Sequence, residues 1–347
     1  MRLLVALILF VSIVAAQALN LCPNAVIVGP QNSTAILGYI SKAQKAVYIE
    51  AYALTWRELA QTLASLAQRG VQVYVVLSGN VYGGIPTTEK QLVDYLKNNG
   101  VNVAYNYDFK FVHSKAFVVD NKTVIIGSIN PTYSGVTNDL GLAVVVQNST
   151  LAREIATVIL NDFNGVYPNY NYTGVVISPI NSYRYLSWLL QQRGKAYAAV
   201  EEIYESSGLT DALMSKAALA LARVTDVPGV QTVDDLTAKV IVVGDYVYVG
   251  SINLSGSSIR NNRELGLLLR CPSLAAAAIG LINQWAGTAA TRPASTATYR
   301  SSATASTTPA AQTGAPQLSN LLALLLAILL ALAILSAGGR RRRKRKA

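Results

Sequence analysis

One tetrapeptide occurs twice in this chain of 347 residues, Gly127-Ser128-Ile129-Asn130 and Gly250-Ser251-Ile252-Asn253, and each copy closes a pair of Val/Ile-rich runs. Two further points match in the same order. Gly29-Pro30-Gln31-Asn32-Ser33 is answered by Ser178-Pro179-Ile180-Asn181-Ser182, and Asp139-Leu140-Gly141-Leu142 by Glu264-Leu265-Gly266-Leu267. Three collinear matches point to an internal duplication, in which each copy buries a face that it cannot bury alone. The halves are expected at 19–165 and 166–285. The second is shorter before its motif, running from Pro179 to Lys239 where the first runs from Pro30 to Lys115.

Within the first half the hydrophobic period changes repeatedly between two and 3.6. Val47-Tyr48-Ile49 reads as a strand. Thr55, with Glu58 three residues on, predicts a capped helix striped by Leu59, Leu63, Leu66 and Ala67, which Arg69-Gly70 ends. Val71-x-Val73-x-Val75 is the next strand; Thr88 and Gln91 open another helix, and Gly100 closes it. Such alternation predicts an α/β class with a largely parallel or mixed sheet.

The two ends are set apart by composition. Met1-Arg2, an apolar run from Leu3 to Ala15 and the small-x-small triplet Ala16-Gln17-Ala18 predict a signal peptide over 1–18. Residues 286–317 are rich in Ala, Thr, Ser and Pro, a composition that cannot bury a core, and are expected to form a stalk. Residues 318–339 are long and apolar enough for a single membrane span, and the basic stretch Arg340–Lys346 in the tail 340–347 stays cytoplasmic. The expected topology is therefore a single-pass cell-membrane protein with its body on the extracytoplasmic side. Net charge is +11, but with Arg2, Arg292, Arg300 and the seven basic residues from Arg340 to Lys346 set aside the body carries about +1. That balance argues against a broad nucleic-acid face. Cys22 and Cys271 bracket the body, and an oxidising compartment permits a disulfide between them. One histidine and two cysteines are too few for a His/Cys zinc site, so no metal is expected.

That histidine, His113, lies two residues before Lys115 at the start of an apolar run. Side chains alternate along a strand, so the two share a face. Asn130 emerges at the end of the neighbouring run, where it can donate to the same anion.

The whole pattern, His113-x-Lys115-x4-Asp120-x6-Gly127-Ser128-x-Asn130, resembles that of the phospholipase D superfamily. The resemblance implies two α/β/α lobes related by a pseudo-two-fold, with the site between them. It implies phosphodiester cleavage without metal or cofactor, through a phosphohistidine on His113. Lys115, Lys239, Asn130 and Asn253, with Ser128 and Ser251, would hold the phosphate. Asp120 completes the motif, and Asp139, just after the Gly-Ser-x-Asn turn, is expected to orient the histidine, with Glu264 as its supporting echo.

The second half departs from the pattern. It keeps Lys239 and Gly250-Ser251-x-Asn253, but Thr237 stands where the histidine belongs and Gly244 where the aspartate belongs. Threonine cannot protonate a leaving group near neutral pH, and general acid catalysis is worth about 10²–10⁴ in rate. Asp234 or Asp235 just upstream are substitutes to consider. The expected function is a metal-independent phosphodiesterase (a hydrolase with phospholipid as preferred substrate, nucleic acid second), whose body works as a monomer. The alternative is a catalytically impaired phosphodiester-binding or surface-interaction protein on the same fold.

Overall fold

The structure is a computed structural model that describes residues 16–291, the last four of them as backbone. Nearly all of the expected signal peptide, the stalk beyond Thr291, the expected membrane span and the basic tail lie outside the described residues. Among the described residues no helix is long and apolar enough to cross a membrane.

The first half supplies β1 (Ala25–Val28), β2 (Ala46–Ala51), β3 (Gln72–Ser78), β4 (Asn102–Asn106), β5 (Lys115–Val119), β6 (Thr123–Gly127) and β7 (Leu142–Gln147). They form one seven-stranded sheet in the order β1-β7-β6-β5-β2-β3-β4. Only β2, β3 and β4 run parallel to one another, because α2 (Arg57–Gln68) and α3 (Thr87–Asn98) carry the chain back between them. The other helices are α1 (Ala35–Ile40), α4 (Tyr133–Thr137) and α5 (Ser149–Phe163).

The second half supplies β8 (Val175–Ser178), β9 (Ala196–Val200), β10 (Glu202–Ile203), β11 (Ala217–Ala222), β12 (Val224–Thr225), β13 (Gln231–Thr232), β14 (Lys239–Val243), β15 (Tyr246–Gly250) and β16 (Glu264–Arg270). Its main sheet has the order β13-β11-β9-β14-β15-β16-β8, which repeats the first sheet strand for strand. The expected mixed α/β fold of two similar lobes is therefore present. Its helices are α6 (Ser182–Gln191), α7 (Thr210–Met214), α8 (Gly256–Arg260) and α9 (Pro272–Thr291). Between β9 and β11 the five-residue α7 stands where the first half has the twelve-residue α2, which accounts for part of the shorter second half.

Alternation along the central strands decides which core each residue joins. Ala116 and Val118 of β5 and Val240 and Val242 of β14 fall in one core shared by both sheets, with α5 and α9 residues such as Ile155 and Trp285. Phe117 and Val119 turn to the outer core under α1 and α2, and Ile241 and Val243 to the outer core under α6. The halves are also stitched by backbone. Arg263 N donates to Phe111 O at 2.8 Å and His113 N to Arg263 O at 2.7 Å; reciprocally, Leu140 N donates to Asp235 O at 2.8 Å and Thr237 N to Leu140 O at 3.1 Å. Cys22 and Cys271 are joined by a disulfide with Cα atoms 5.1 Å apart.

Two local expectations change. The α2 cap position is Trp56, without a side-chain cap, because Thr55 is drawn to the turn after Asn130: its N–H donates to Pro131 O at 3.1 Å. Helix α9 continues through Thr291, six residues beyond the expected end of the body.

Candidate active site

The backbone stitches place the site. His113 lies between β4 and β5, and its N–H is held by Arg263 from the other half. The next residue, Glu264, opens β16 and is fully buried. Its Oε2 lies 3.1 Å from His113 Nδ1. Ser258 Oγ donates to Glu264 Oε1 at 2.6 Å and Asn262 Nδ2 donates to it at 3.0 Å. A carboxylate fixed this way accepts from Nδ1–H and leaves Nε2 with a free lone pair. Burial alone would raise the Glu264 pKa, but His113, Lys115 and the Ser258 hydroxyl together bring it down. Burial, then the charge of Lys115, lower the His113 pKa against the opposing pull of Glu264, so the imidazole favours its neutral, nucleophilic form.

Lys115 and Lys239 begin equivalent strands, both about 1% exposed. Each turns its ammonium back on its own segment: Lys115 Nζ donates to His113 O at 2.6 Å, and Lys239 Nζ to Thr237 O at 2.9 Å. They converge closely enough for Lys239 to be, after burial, the main cause that lowers the Lys115 pKa to about 7. Tyr52, at the end of β2, packs its ring on His113 (centroids 5.1 Å apart) and lies 5.7 Å from Lys115 Nζ. Asn130 and Asn253 follow the equivalent strands β6 and β15; Asn253 Oδ1 accepts from Glu202 N at 3.2 Å, and Asn130 Oδ1 is buried without a partner.

The sheet register corrects the equivalence of the carboxylates. Gly127 pairs with Ala143 and Gly250 with Gly266. The match of Asp139 to Glu264 therefore slips by two residues: Glu264 is equivalent to Gly141, and Asp139 to Asn262. Orientation of His113 consequently falls to Glu264, from the opposite half, and Asp139 makes no hydrogen bond to it. Counting without a gap from Asn130 and Asn253 gives this register directly; the similar tetrapeptides concealed it.

Three other expected members of the site lie elsewhere. Asp120 sits past the far end of β5, where its carboxylate accepts from the N–H groups of Gln44, Lys45 and Ala46 at 2.7–3.1 Å. The Ser128 hydroxyl is spent on the next strand, accepting from Leu142 N at 3.0 Å, and Ser251 does the same with Leu265 N at 3.1 Å. Neither serine is free to hold phosphate. Gly244, where an aspartate was missing, is a turn residue with φ of 58°, and a Cβ there would lie 2.9 Å from Arg193 O.

A residue that the motif did not reveal is Glu201. It follows β9 as Tyr52 follows β2, and its Oε2 lies 2.6 Å from Lys239 Nζ while its other oxygen pairs with Arg223. Burial would raise its pKa, but Lys239, Arg223 and His113 overcome this and bring it to about 2. The second lysine of the site thus already has a carboxylate partner. The only signal in the sequence was position, one residue after the strand equivalent to β2.

Beneath the site Arg263 is wholly buried, its Nε 2.7 Å from Asp162 Oδ2 and its Nη2 2.9 Å from Asp162 Oδ1. It lies 4.4 Å from the Phe109 ring. Glu50 stands beside it and accepts from Ser114, the residue between His113 and Lys115. Burial, then the neighbouring Glu50, push the Asp162 carboxyl upward against Arg263.

Residues 36–164 match the family model of the cardiolipin synthase, phospholipase D-like domain. The chain is 23% identical over 158 residues to a mitochondrial cardiolipin hydrolase of Canis lupus familiaris, across 44% of this chain and 56% of that protein. It thus spans little more than half the length of that curated relative. The human mitochondrial cardiolipin hydrolase is likewise 23% identical over 158 residues, 46% of this chain and 60% of its own. Among solved structures, phosphatidylserine synthase of Haemophilus influenzae superposes with a TM-score of 0.55 at 13% identity, over 78% of this chain and 88% of its own. The likeness in that case is one of fold.

Proposed function

Since the chain belongs to the phospholipase D superfamily, a family of phosphodiesterases, we propose that it is a metal-independent phosphodiesterase whose nucleophile is His113. The observation that carries this reading is the 3.1 Å contact of His113 Nδ1 with a buried Glu264 from the opposite half. It sets the tautomer that nucleophilic attack needs. His113 Nε2 attacks phosphorus and the ester oxygen departs, leaving an N–P bond. Water then attacks phosphorus and releases His113 and a phosphomonoester. Lys115 and Lys239 hold the non-bridging oxygens, and their charge stabilises the five-coordinate state more than the ground state. The Nδ2 groups of Asn130 and Asn253 are the donors that complete the cradle, that of Asn253 set by the Glu202 N–H bonded to its Oδ1.

The preferred substrate is a phospholipid. The expected membrane span would hold the body near a bilayer, the near-neutral body does not suit a polyanion, and the curated relatives are described as cardiolipin hydrolases. Export and anchoring with Arg340–Lys346 inside are part of the proposal, supported by the Cys22–Cys271 disulfide, which suits an oxidising compartment. Protease added to intact cells is expected to degrade the body; a protected body reverses the topology.

The direct test is to mix the protein with bis(4-nitrophenyl) phosphate and quench early. A 4-nitrophenyl phosphoryl group is expected on His113, with turnover unchanged by chelators and lost in His113→Ala. Vesicles containing cardiolipin, vesicles of phosphatidylcholine and single-stranded DNA then rank the substrate classes. A second reading, a phosphodiester-binding protein, is favoured by Thr237 and by the Glu201 carboxylate on Lys239. It prevails if no phosphoenzyme forms while vesicles still bind in a Lys115-dependent way.

A further inference from the structure

The proposed reaction leaves one proton unaccounted for, the one that the departing ester oxygen needs. Across the pseudo-two-fold, the group that meets His113 is assembled from Glu264, with Ser258 and Asn262 donating to it. Their equivalents in the first half are Gly141, Gly135 and Asp139, and the equivalent of His113 is Thr237. Both members of a second histidine–carboxylate pair are thus absent. A Cβ on Gly141 would stand 3.4 Å from Thr237 Oγ1, so these two positions still face each other. The Thr237 hydroxyl is buried and without a partner.

Of the four equivalents, Asp139 alone carries an ionisable side chain. Its backbone is anchored as that of Asn262 is: Asp139 N donates to Ser134 O at 3.3 Å, and Asn262 N to Ser257 O at 3.0 Å. Asn262 uses that position to reach Glu264 Oε1, and Asp139 holds the equivalent position in the first half, two residues before Gly141 and within the field of Glu201 and Lys239. We propose that Asp139 is the catalytic acid and base on the leaving-group side, in place of the missing histidine. The inference rests on the phosphodiesterase reading above.

In the first step His113 Nε2 bonds to phosphorus, the P–O bond to the leaving group breaks, and that oxygen takes the proton from the Asp139 carboxyl. In the second, the Asp139 carboxylate takes a proton from water as its oxygen bonds to phosphorus. The P–N bond breaks, its electron pair returns to His113, and Asp139 is again protonated. The surroundings favour a proton there: burial and then Glu201 raise the Asp139 pKa, as does Asp235, while Arg223 and Lys239 oppose them. Lys115 also lies within the field of Asp139.

The test is the rate of phosphoenzyme formation at His113 in single turnover, measured on the full chain with 4-nitrophenyl, phenyl and alkyl phosphodiesters. Asp139→Asn carries the side chain that Asn262 already bears at the equivalent position. It is expected to slow the alkyl ester about 10²–10⁴-fold more than the nitrophenyl ester, whose leaving group departs without a proton. Asp139→Glu is expected to recover part of that difference. Equal slowing of all three esters, or no slowing of any, overturns the assignment. Failure of the wild type to phosphorylate His113 even from the nitrophenyl ester instead overturns the phosphodiesterase reading, and this inference with it.

Discussion

At the scale of single residues, the site is governed by which charges face which. Glu264→Gln leaves an amide that cannot hold His113 as a carboxylate does, and kcat is expected to fall by about 10³–10⁴ with the fold intact. A fall in Tm parallel to activity would assign Glu264 to stability instead. The pH profile has a sign that can be worked out. Attack needs neutral His113, whose pKa is lowered, so the acid limb of kcat/KM lies below the ordinary 6.5. Phosphate binding needs charged Lys115, so kcat/KM is lost as pH rises through about 7. Glu201 is among the groups that raise the Lys115 pKa, and Glu201→Gln is therefore expected to move this limb to lower pH. A limb that stays put would detach Lys115 from the profile. The placement of His113, Lys115, Asn130, Lys239 and Asn253 at the ends of equivalent strands was legible in the sequence because strand and turn residues fix their spacing. Glu264 as the partner of His113, Glu201 and Arg263 were not, since each acts across a distance in sequence that no local period encodes.

At the scale of elements, the turn after β5 separates stability from chemistry. Asp120 gathers the backbone N–H groups of Gln44, Lys45 and Ala46 where the chain enters β2, and their hydrogen bonds hold its pKa low although burial alone would raise it. Asp120→Ala is expected to cost about 1–2 kcal/mol, as hydrogen bonds to a charged group do when they are partly open to water, with kcat/KM retained. Because the folded pKa is depressed, that contribution is present above the ordinary 3.8 and fades as pH falls through the folded value. The difference in Tm between variant and wild type should shrink in acid; a large loss of activity would return Asp120 to the site. Gly244→Asp, which restores the motif on paper, meets a positive φ and the Arg193 carbonyl, so it is expected to destabilise without raising activity. The strands and helices of the first half were readable because their periods are clean and Gly70 and Gly100, at φ of 85° and 84°, mark helix ends. The Thr55 cap was misread because a long-range contact competes for that residue.

At the scale of the molecule, the two halves share one core and one site. The buried Arg263–Asp162 pair crosses between them, and Asp162→Ala strands a guanidinium in that core. A loss of about 3–5 kcal/mol is expected from denaturant unfolding, as for other broken buried pairs. Duplication and lobe organisation were visible from the repeated tetrapeptide, whereas the two-residue slip between Asp139 and Glu264, concealed by similar tetrapeptides, was settled by the pairing of β7 and β16 with their neighbours.

Glu264 follows His113 by 151 residues, and the strand it opens is the last of the described chain. On a ribosome, His113 emerges long before the residues that steady it. On the phosphodiesterase reading, the chain carries a nucleophile without its aim through that interval, and a chain truncated before Glu264 is expected to be inactive. On that reading the order of synthesis sets the order of assembly, and the onset of reactivity is expected to report that the final strand has found its place.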